Sequence, residues 1–182
     1  MIRLASSSST RAKLLLEAGI EFVQQSVDFD EESIIASSPK NFVYQATLGK
    51  FEANLKEFGF KEYPLLVADT VVTSQGHILR KAKCIEDARN ILLTQSGNST
   101  SIITCMIYLS KREKIIDIST TEYLFKRFDL DDIERYLLSG DWRQKAGACM
   151  VEGFCKPYIK SVKGHESTAM GLNVEILKRF AL

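Results

Sequence analysis

The chain has 182 residues, enough for one domain with a sizeable core. A hydrophobic share of 45% and a charged share of 26% are those of a folded globular protein and exclude a disordered or low-complexity chain. The formal net charge of +1 argues against a dedicated nucleic-acid binder, which carries a basic stripe, and leaves a small anionic ligand open.

Ile2 to Ala5 reads as a strand, and four consecutive serines, Ser6 to Ser9, follow it. Residues from about Thr10 to Ala18 read as a helix, with Leu14, Leu15 and Ala18 on one face and Gly19 as its stop. Phe22 to Val27 is a short strand, and Asp28 to Ser38 is an acidic, polar loop. Ser38-Pro39 is an N-cap followed by proline at the first helical position, predicting a helix to about Phe58. Pro64 to Val67 leads into Thr70 to Thr73, an apolar β-rich segment interrupted by Asp69. Gln75-Gly76 is a turn, and His77 to Leu79 returns as a short strand. Ile85 to Gln95 is a helix with Ala88, Ile91 and Leu92 inward. Ser99 to Ser110 and Lys114 to Phe128 form a hairpin across the charged turn Lys111-Arg112-Glu113. Asp129 caps a helix to Leu138, Ala148 to Val151 and Tyr158 to Val162 are short strands, and a last helix runs from about Leu172 to Phe180. Alternating strands and helices with one antiparallel hairpin predict an α/β fold with a mixed, twisted sheet and flanking helices. The whole chain, 1–182, reads as a single domain in which about 85–138 forms a smaller lobe, with a cleft beside it.

No stretch approaches the roughly 18 apolar residues of a spanning helix, and the first apolar run is too short for a secretory signal. Cys84, Cys105, Cys149 and Cys155 show no CxxC spacing, and His77 and His165 lie far apart. A zinc site is therefore not expected, and the cysteines are read as reduced thiols of a cytoplasmic protein. Asn98-Ser99-Thr100 matches a glycosylation sequon, read as chance without a secretion signal.

Several stretches carry chemistry. A strand, the Ser run and a helix with Arg11 in its first turn can bind an anion through helix N–H groups, hydroxyls and a guanidinium; taken alone, the stretch reads first as a plain N-cap beside a solvated arginine. Asp69 inside an apolar β-run is costly unless paired, metal-bound or at a strand end. Asp28-Phe29-Asp30-Glu31-Glu32 can hold Mg²⁺ together with phosphates, or is a solvated surface run. Lys50, Lys81 and Lys83 taken singly read as surface residues, and the Arg143 to Gly153 region as a turn or a ligand-facing edge. There is no GxxxxGK[ST], GxGxxG or GxSxG, and no cysteine with an evident histidine partner. Scattered acids with scattered Lys and Arg suit metal-assisted attack on a polyphosphate better than acyl transfer.

Leu4-Ala5-Ser6-Ser7-Ser8-Ser9-Thr10-Arg11, Phe29-Asp30-Glu31, Lys50, Ala68-Asp69-Thr70-Val71-Val72, Lys81, and Lys145-Ala146-Gly147-Ala148 with Glu152-Gly153 together resemble the Maf family. The resemblance implies a cytoplasmic nucleoside triphosphate pyrophosphatase linked to septum formation and division arrest. It implies a fold similar to that of the inosine triphosphate pyrophosphatases, with two lobes around a cleft, and a divalent cation, Mg²⁺ or Mn²⁺. Dimers are usual in the family, so a homodimer is an expectation; the partner is the nucleotide, with neither nucleic acid nor membrane. Carried over by position, Asp69 is the general base, Glu31 and Asp69 bracket the metal, and Ser8, Arg11, Lys50 and Lys81 hold phosphate. Glu152 faces the base or sugar.

The chain departs from the family's pattern in places. Ser9-Thr10-Arg11 stands where Pro-Arg-Arg is common, and Arg80-Lys81-Ala82 where Gly-Lys-Pro is common. Members acting on dTTP and UTP usually have Gln where this chain has Glu152, and a branch acting on 7-methyl-GTP and some pyrimidine nucleotides has Glu. Ala68-Asp69-Thr70-Val71-Val72 resembles the first branch, so dTTP or UTP, and 7-methyl-GTP or CTP, are both open as substrates. The missing arginine at position 10 also leaves open a nucleotide-binding division regulator with little turnover.

Overall fold

The computed structural model describes residues 1–31 and 34–181. Glu32 of the acidic run, Ser33 of the expected 28–38 loop, and Leu182 lie outside the described residues. The strands are β1 (Ile2–Leu4), β2 (Phe22–Gln24), β3 (Leu65–Ser74), β4 (His77–Leu79), β5 (Ser99–Leu109), β6 (Lys114–Phe125) and β7 (Ile159–Lys163). The helices are α1 (Ser9–Glu17), α2 (Pro39–Phe58), α3 (Ile85–Gln95), α4 (Leu130–Ser139), α5 (Glu166–Ala169) and α6 (Val174–Ala181). The strands form one sheet in the order β2-β1-β3-β5-β6-β7, with β4 paired to β3 off this path. β1 runs parallel to β2 and β3, whereas β4 on β3 and β7 on β6 are antiparallel. This is the mixed α/β sheet with helices that the alternating pattern predicts.

Contacts divide the chain into two compact units. The first comprises Met1–Thr70, Thr104–Ser119 and Glu166–Leu182; the second comprises Val71–Ile103 and Thr120–His165. The 85–138 segment contributes to both, because its middle stretch, Thr104–Ser119, belongs to the first unit. Among the described residues no helix is long and apolar enough to cross a membrane.

In the first unit, strand alternation sorts side chains onto two faces. Leu4, Leu66, Ala68, Met106 and Tyr108 pack with Leu14 and Leu15 of α1 and Leu177 of α6. On the opposite face Ala5, Leu65, Val67 and Ile107 pack with Phe51 of α2. Each fully buried Leu removes apolar surface worth about 1.5–3 kcal/mol from water, so these two clusters clamp the strands between helices. Continuing the alternation by one step each puts Asp69 on the α2 face and Thr70 on the α1 face. β3 passes through Asp69 without a break, and Lys50 pairs with Oδ1 of the carboxylate, the partner that a charge inside an apolar strand requires.

Local signals account for both ends of α2 and of α4. Ser38 caps α2 by accepting from the Asn41 amide, Pro39 opens it, and Gly59 ends it at φ 62°. Asp129 caps α4 by accepting from the Asp131 and Asp132 amides, and Gly140 closes it in the left-handed region.

In the second unit Gln75 and Gly76 both have positive φ, which suits the two-residue hairpin turn between β3 and β4. Two expectations are corrected here. Ala148 to Val151 is not a strand: Gly147 and Ala148 both have positive φ, which curls the chain out of extended geometry. Cys149 and Cys155 are not free thiols but a disulfide, with Cα atoms 6.7 Å apart. Successive tight turns, Gly153 N to Met150 O and Lys156 N to Gly153 O, fold the intervening residues and bring the two cysteines within bridging reach. Cys84 and Cys105 are free. Around this loop Phe154 stacks on Tyr136 with centroids 4.5 Å apart and meets Phe128 edge-on at 5.3 Å.

Candidate active site

β1 is flanked by parallel neighbours on both sides, β2 and β3. The chain leaves β1 through α1 toward β2 and returns through α2 to β3, with α1 and α2 on opposite faces of the sheet. Such a reversal of strand order is where open α/β sheets bind ligands, beyond the carboxyl ends of the strands. The Ser run leaves β1 at that end.

Arg11 is the best-held side chain there. Its Nε donates to Gly171 O at 2.8 Å, Nη1 to Ser6 Oγ at 2.9 Å and Nη2 to Thr70 Oγ1 at 3.2 Å. A guanidinium has five N–H donors, so among the described residues these three bonds leave two without a protein partner. All three acceptors are neutral, and among the described residues no carboxylate forms an ion pair with Arg11. Burial pushes its guanidinium below the usual arginine value, and the negative charges of Asp69 and then Glu31 oppose that shift. Gly171, at φ +101°, lies so close that a Cβ would sit 3.2 Å from Arg11 Nε. Ser8 caps α1: its Oγ accepts from the Arg11 amide at 3.3 Å, and among the described residues its hydroxyl donates to none.

On the α2 face, Lys50 Nζ lies 2.5 Å from Glu31 Oε1 and 2.9 Å from Asp69 Oδ1. Asp69 is buried, yet only its Oδ1 is engaged; among the described residues Oδ2 accepts no hydrogen bond. Two features bring the loop carrying Glu31 to Lys50. Asn54, one turn along α2, donates to Lys50 O at 2.7 Å and accepts from the Val27 amide at 3.0 Å. Gly49 leaves room for the Phe29 ring: a Cβ there would lie 2.1 Å from Phe29 Cζ. That explains a glycine inside a long helix, where it costs about 1 kcal/mol relative to alanine.

The structure therefore gathers Ser8, Arg11, Glu31, Lys50 and Asp69 within the first unit. Lys81 and Glu152 belong to the second. Lys81 is exposed and its backbone bridges to Ala146, while Glu152 is half-buried in the disulfide-closed turn. Sequence reasoning missed Ser6, Thr70, Gly171, Gly49 and Phe29 as supports of these groups. Only Gly49, a helix-interior glycine beside Lys50, carried a local signal; the others reveal their part only through long-range contacts.

The Maf-like protein family model matches residues 1–181. A protein of a Nitratiruptor species named nucleoside triphosphate pyrophosphatase is 57% identical over 183 residues, covering 100% of this chain and 98% of its own length. Proteins of the same name from Helicobacter pylori and Campylobacter jejuni are 42% and 36% identical, covering 94% and 99% of this chain and 90% and 100% of their own lengths. Full-length coverage at these identities, with a family model matching almost every residue, shows that the chain belongs to the Maf family.

Proposed function

We propose that the chain hydrolyses nucleoside triphosphates to the monophosphate and pyrophosphate, the activity that its relatives' names state for them. The observation that carries this reading is Lys50 Nζ held between Glu31 and Asp69, in the same unit as an arginine with two donors unused among the described residues. A triphosphate presents about four negative charges, and preorganised cations aimed at it lower the barrier without reorganising at the moment of reaction. Arg11 supplies fixed positive charge and Ser8 a hydroxyl donor, while Lys50, whose charge Glu31 and Asp69 balance here, would lend it to phosphate where those carboxylates hold a metal. Asp69 Oδ1 is anchored by Lys50, which leaves Oδ2 to orient a water and take its proton as the water attacks the α-phosphorus. Lys81 serves the leaving pyrophosphate in this reading.

The donor set fits a divalent cation. Two carboxylates already converge on one cationic atom, Lys50 Nζ, and Mg²⁺ is commonly held by one or two carboxylates plus substrate phosphates. Glu31 and Asp69 would hold it, and when bound it would neutralise phosphate charge. Glu152 favours a second reading of the substrate. An ionised carboxylate only accepts hydrogen bonds, so it suits amino-bearing bases, as in 7-methyl-GTP or CTP, rather than the mixed edge of dTTP or UTP. Action on cytoplasmic nucleotides with a consequence for septum formation belongs to the same proposal.

The test is pyrophosphate release from a panel containing dTTP, UTP, CTP and 7-methyl-GTP, with Mg²⁺ or Mn²⁺. Turnover of at least one is expected. Tight binding without hydrolysis of any would replace this proposal with the binding-regulator reading.

A further inference from the structure

Behind Arg11 lies a chain of hydroxyls whose proton direction the geometry dictates. Thr104 Oγ1 lies 2.7 Å from the Thr168 carbonyl, which can only accept, so the single Thr104 proton is committed there. Thr70 Oγ1 and Thr104 Oγ1 are 2.9 Å apart, and either alone could donate. With the Thr104 proton spent, Thr70 must donate to Thr104. Its own oxygen is then left as an acceptor, and Arg11 Nη2 donates to it at 3.2 Å. The relay runs one way: Arg11 to Thr70 to Thr104 to the Thr168 carbonyl. Thr104 and Thr168 are fully buried, so no bulk water replaces a lost link.

We propose that Thr104 is a positioning residue for the phosphate-binding arginine. Its hydroxyl turns that of Thr70 so that a lone pair, not a proton, faces Arg11. The proposal rests on Arg11 binding phosphate. The arrangement has a functional logic. A carboxylate behind the guanidinium would hold it as firmly but would cancel its charge. A relay of neutral hydroxyls ending on a backbone carbonyl holds the fork and leaves the charge for a polyanion. Neighbouring strands, β3 and β5, place the two threonines side by side on the α1 face, opposite Asp69 and Lys50. Thr104 therefore reaches Arg11 without touching the carboxylate pair.

The experiment compares wild type, Thr104→Val and Thr104→Ser, each also in an Arg11→Lys background. It reads the Kd of inorganic tripolyphosphate with Mg²⁺, the kcat and KM of a turned-over nucleotide, and Tm. Thr104→Val should weaken tripolyphosphate binding about tenfold, the scale of one buried hydrogen bond, with the loss appearing mainly in KM. Thr104→Ser, which keeps the hydroxyl, should stay within about twofold of wild type. In the Arg11→Lys background Thr104→Val should add nothing, because Thr104 acts through the guanidinium. Equal affinity for wild type and Thr104→Val overturns the proposal, as does an undiminished loss in the Arg11→Lys background. If Thr104→Val does not fold, Thr104→Cys, with its weak S–H donor, takes its place under the same criteria. If no nucleotide is hydrolysed, the pyrophosphatase reading fails, while the tripolyphosphate comparison still decides the role of Thr104.

Discussion

Replacing Asp69 by Asn separates chemistry from stability at this site. The change removes one negative charge and keeps an acceptor oxygen in place facing Lys50 Nζ, now 2.9 Å from Oδ1. The lost attraction at that distance is about 1.4 kcal/mol in water and about 5.7 kcal/mol at an effective dielectric of 20. Because Glu31 and Asp69 grip the same nitrogen at 2.5 and 2.9 Å, their oxygens lie no more than about 5.4 Å apart, and their mutual repulsion, at least about 0.8 to 3.1 kcal/mol over the same range, disappears too. Lys50 keeps Glu31 at 2.5 Å and is not orphaned, although that pair is more exposed and more screened. Partial cancellation of these terms leaves a net cost of about 0.6 to 2.6 kcal/mol, softened by the retained hydrogen bond, a Tm change of several degrees. Loss of a general base, by contrast, costs roughly 10²–10⁴ in rate. Pyrophosphate release measured beside a thermal melt checks both numbers. A folded Asp69→Asn protein with full activity refutes Asp69 as the base, and one that no longer folds refutes the electrostatic accounting.

Gly49→Ala should change Tm by no more than a few degrees, since the helix gain of about 1 kcal/mol offsets lost Phe29 packing, yet weaken Mg²⁺ and substrate affinity by displacing Phe29 and with it Glu31; titration and melting read the two effects separately. Glu152→Gln should move relative kcat/KM toward dTTP or UTP, and an unchanged ratio across the panel would remove Glu152 from base selection. Tyr136 is held by its hydrogen bond to Ala148 O at 3.1 Å, and burial pushes its phenol up to about 12. The folded value lies above the unfolded one, so stability is fully kept below about pH 10 and falls as pH rises toward 12. Denaturant unfolding across that window should show a shallower decline in Tyr136→Phe.

Much of the fold was legible because its signals are local. Ser38-Pro39 and Asp129 announce helix starts through amides that any following helix must leave unpaired. The even spacing of Leu66, Ala68 and Thr70 against Leu65, Val67 and Asp69 sorts two faces by strand geometry alone. The misreadings share a cause. Ala148 to Val151 has strand-like composition, but positive φ at Gly147 and Ala148 and the Cys149–Cys155 bridge come from contacts within the folded second unit.

Sequence by itself determined the family motifs, the alternation of strands and helices, and the residue types able to meet a polyphosphate. Tertiary structure decided which of them meet. Glu31, Lys50 and Asp69 are scattered over 39 positions of chain and converge on one nitrogen because Phe29 seats on Gly49 and β3 returns beside β1. Which of the opening serines cap a helix and which brace Arg11 likewise depends on distant partners. Ser8 caps α1, while Ser6 joins Gly171 and Thr70 in fixing Arg11. Hydrogen bonds spanning 59 and 160 positions leave no periodic trace in a sequence, since they depend on packing and not on neighbouring residues.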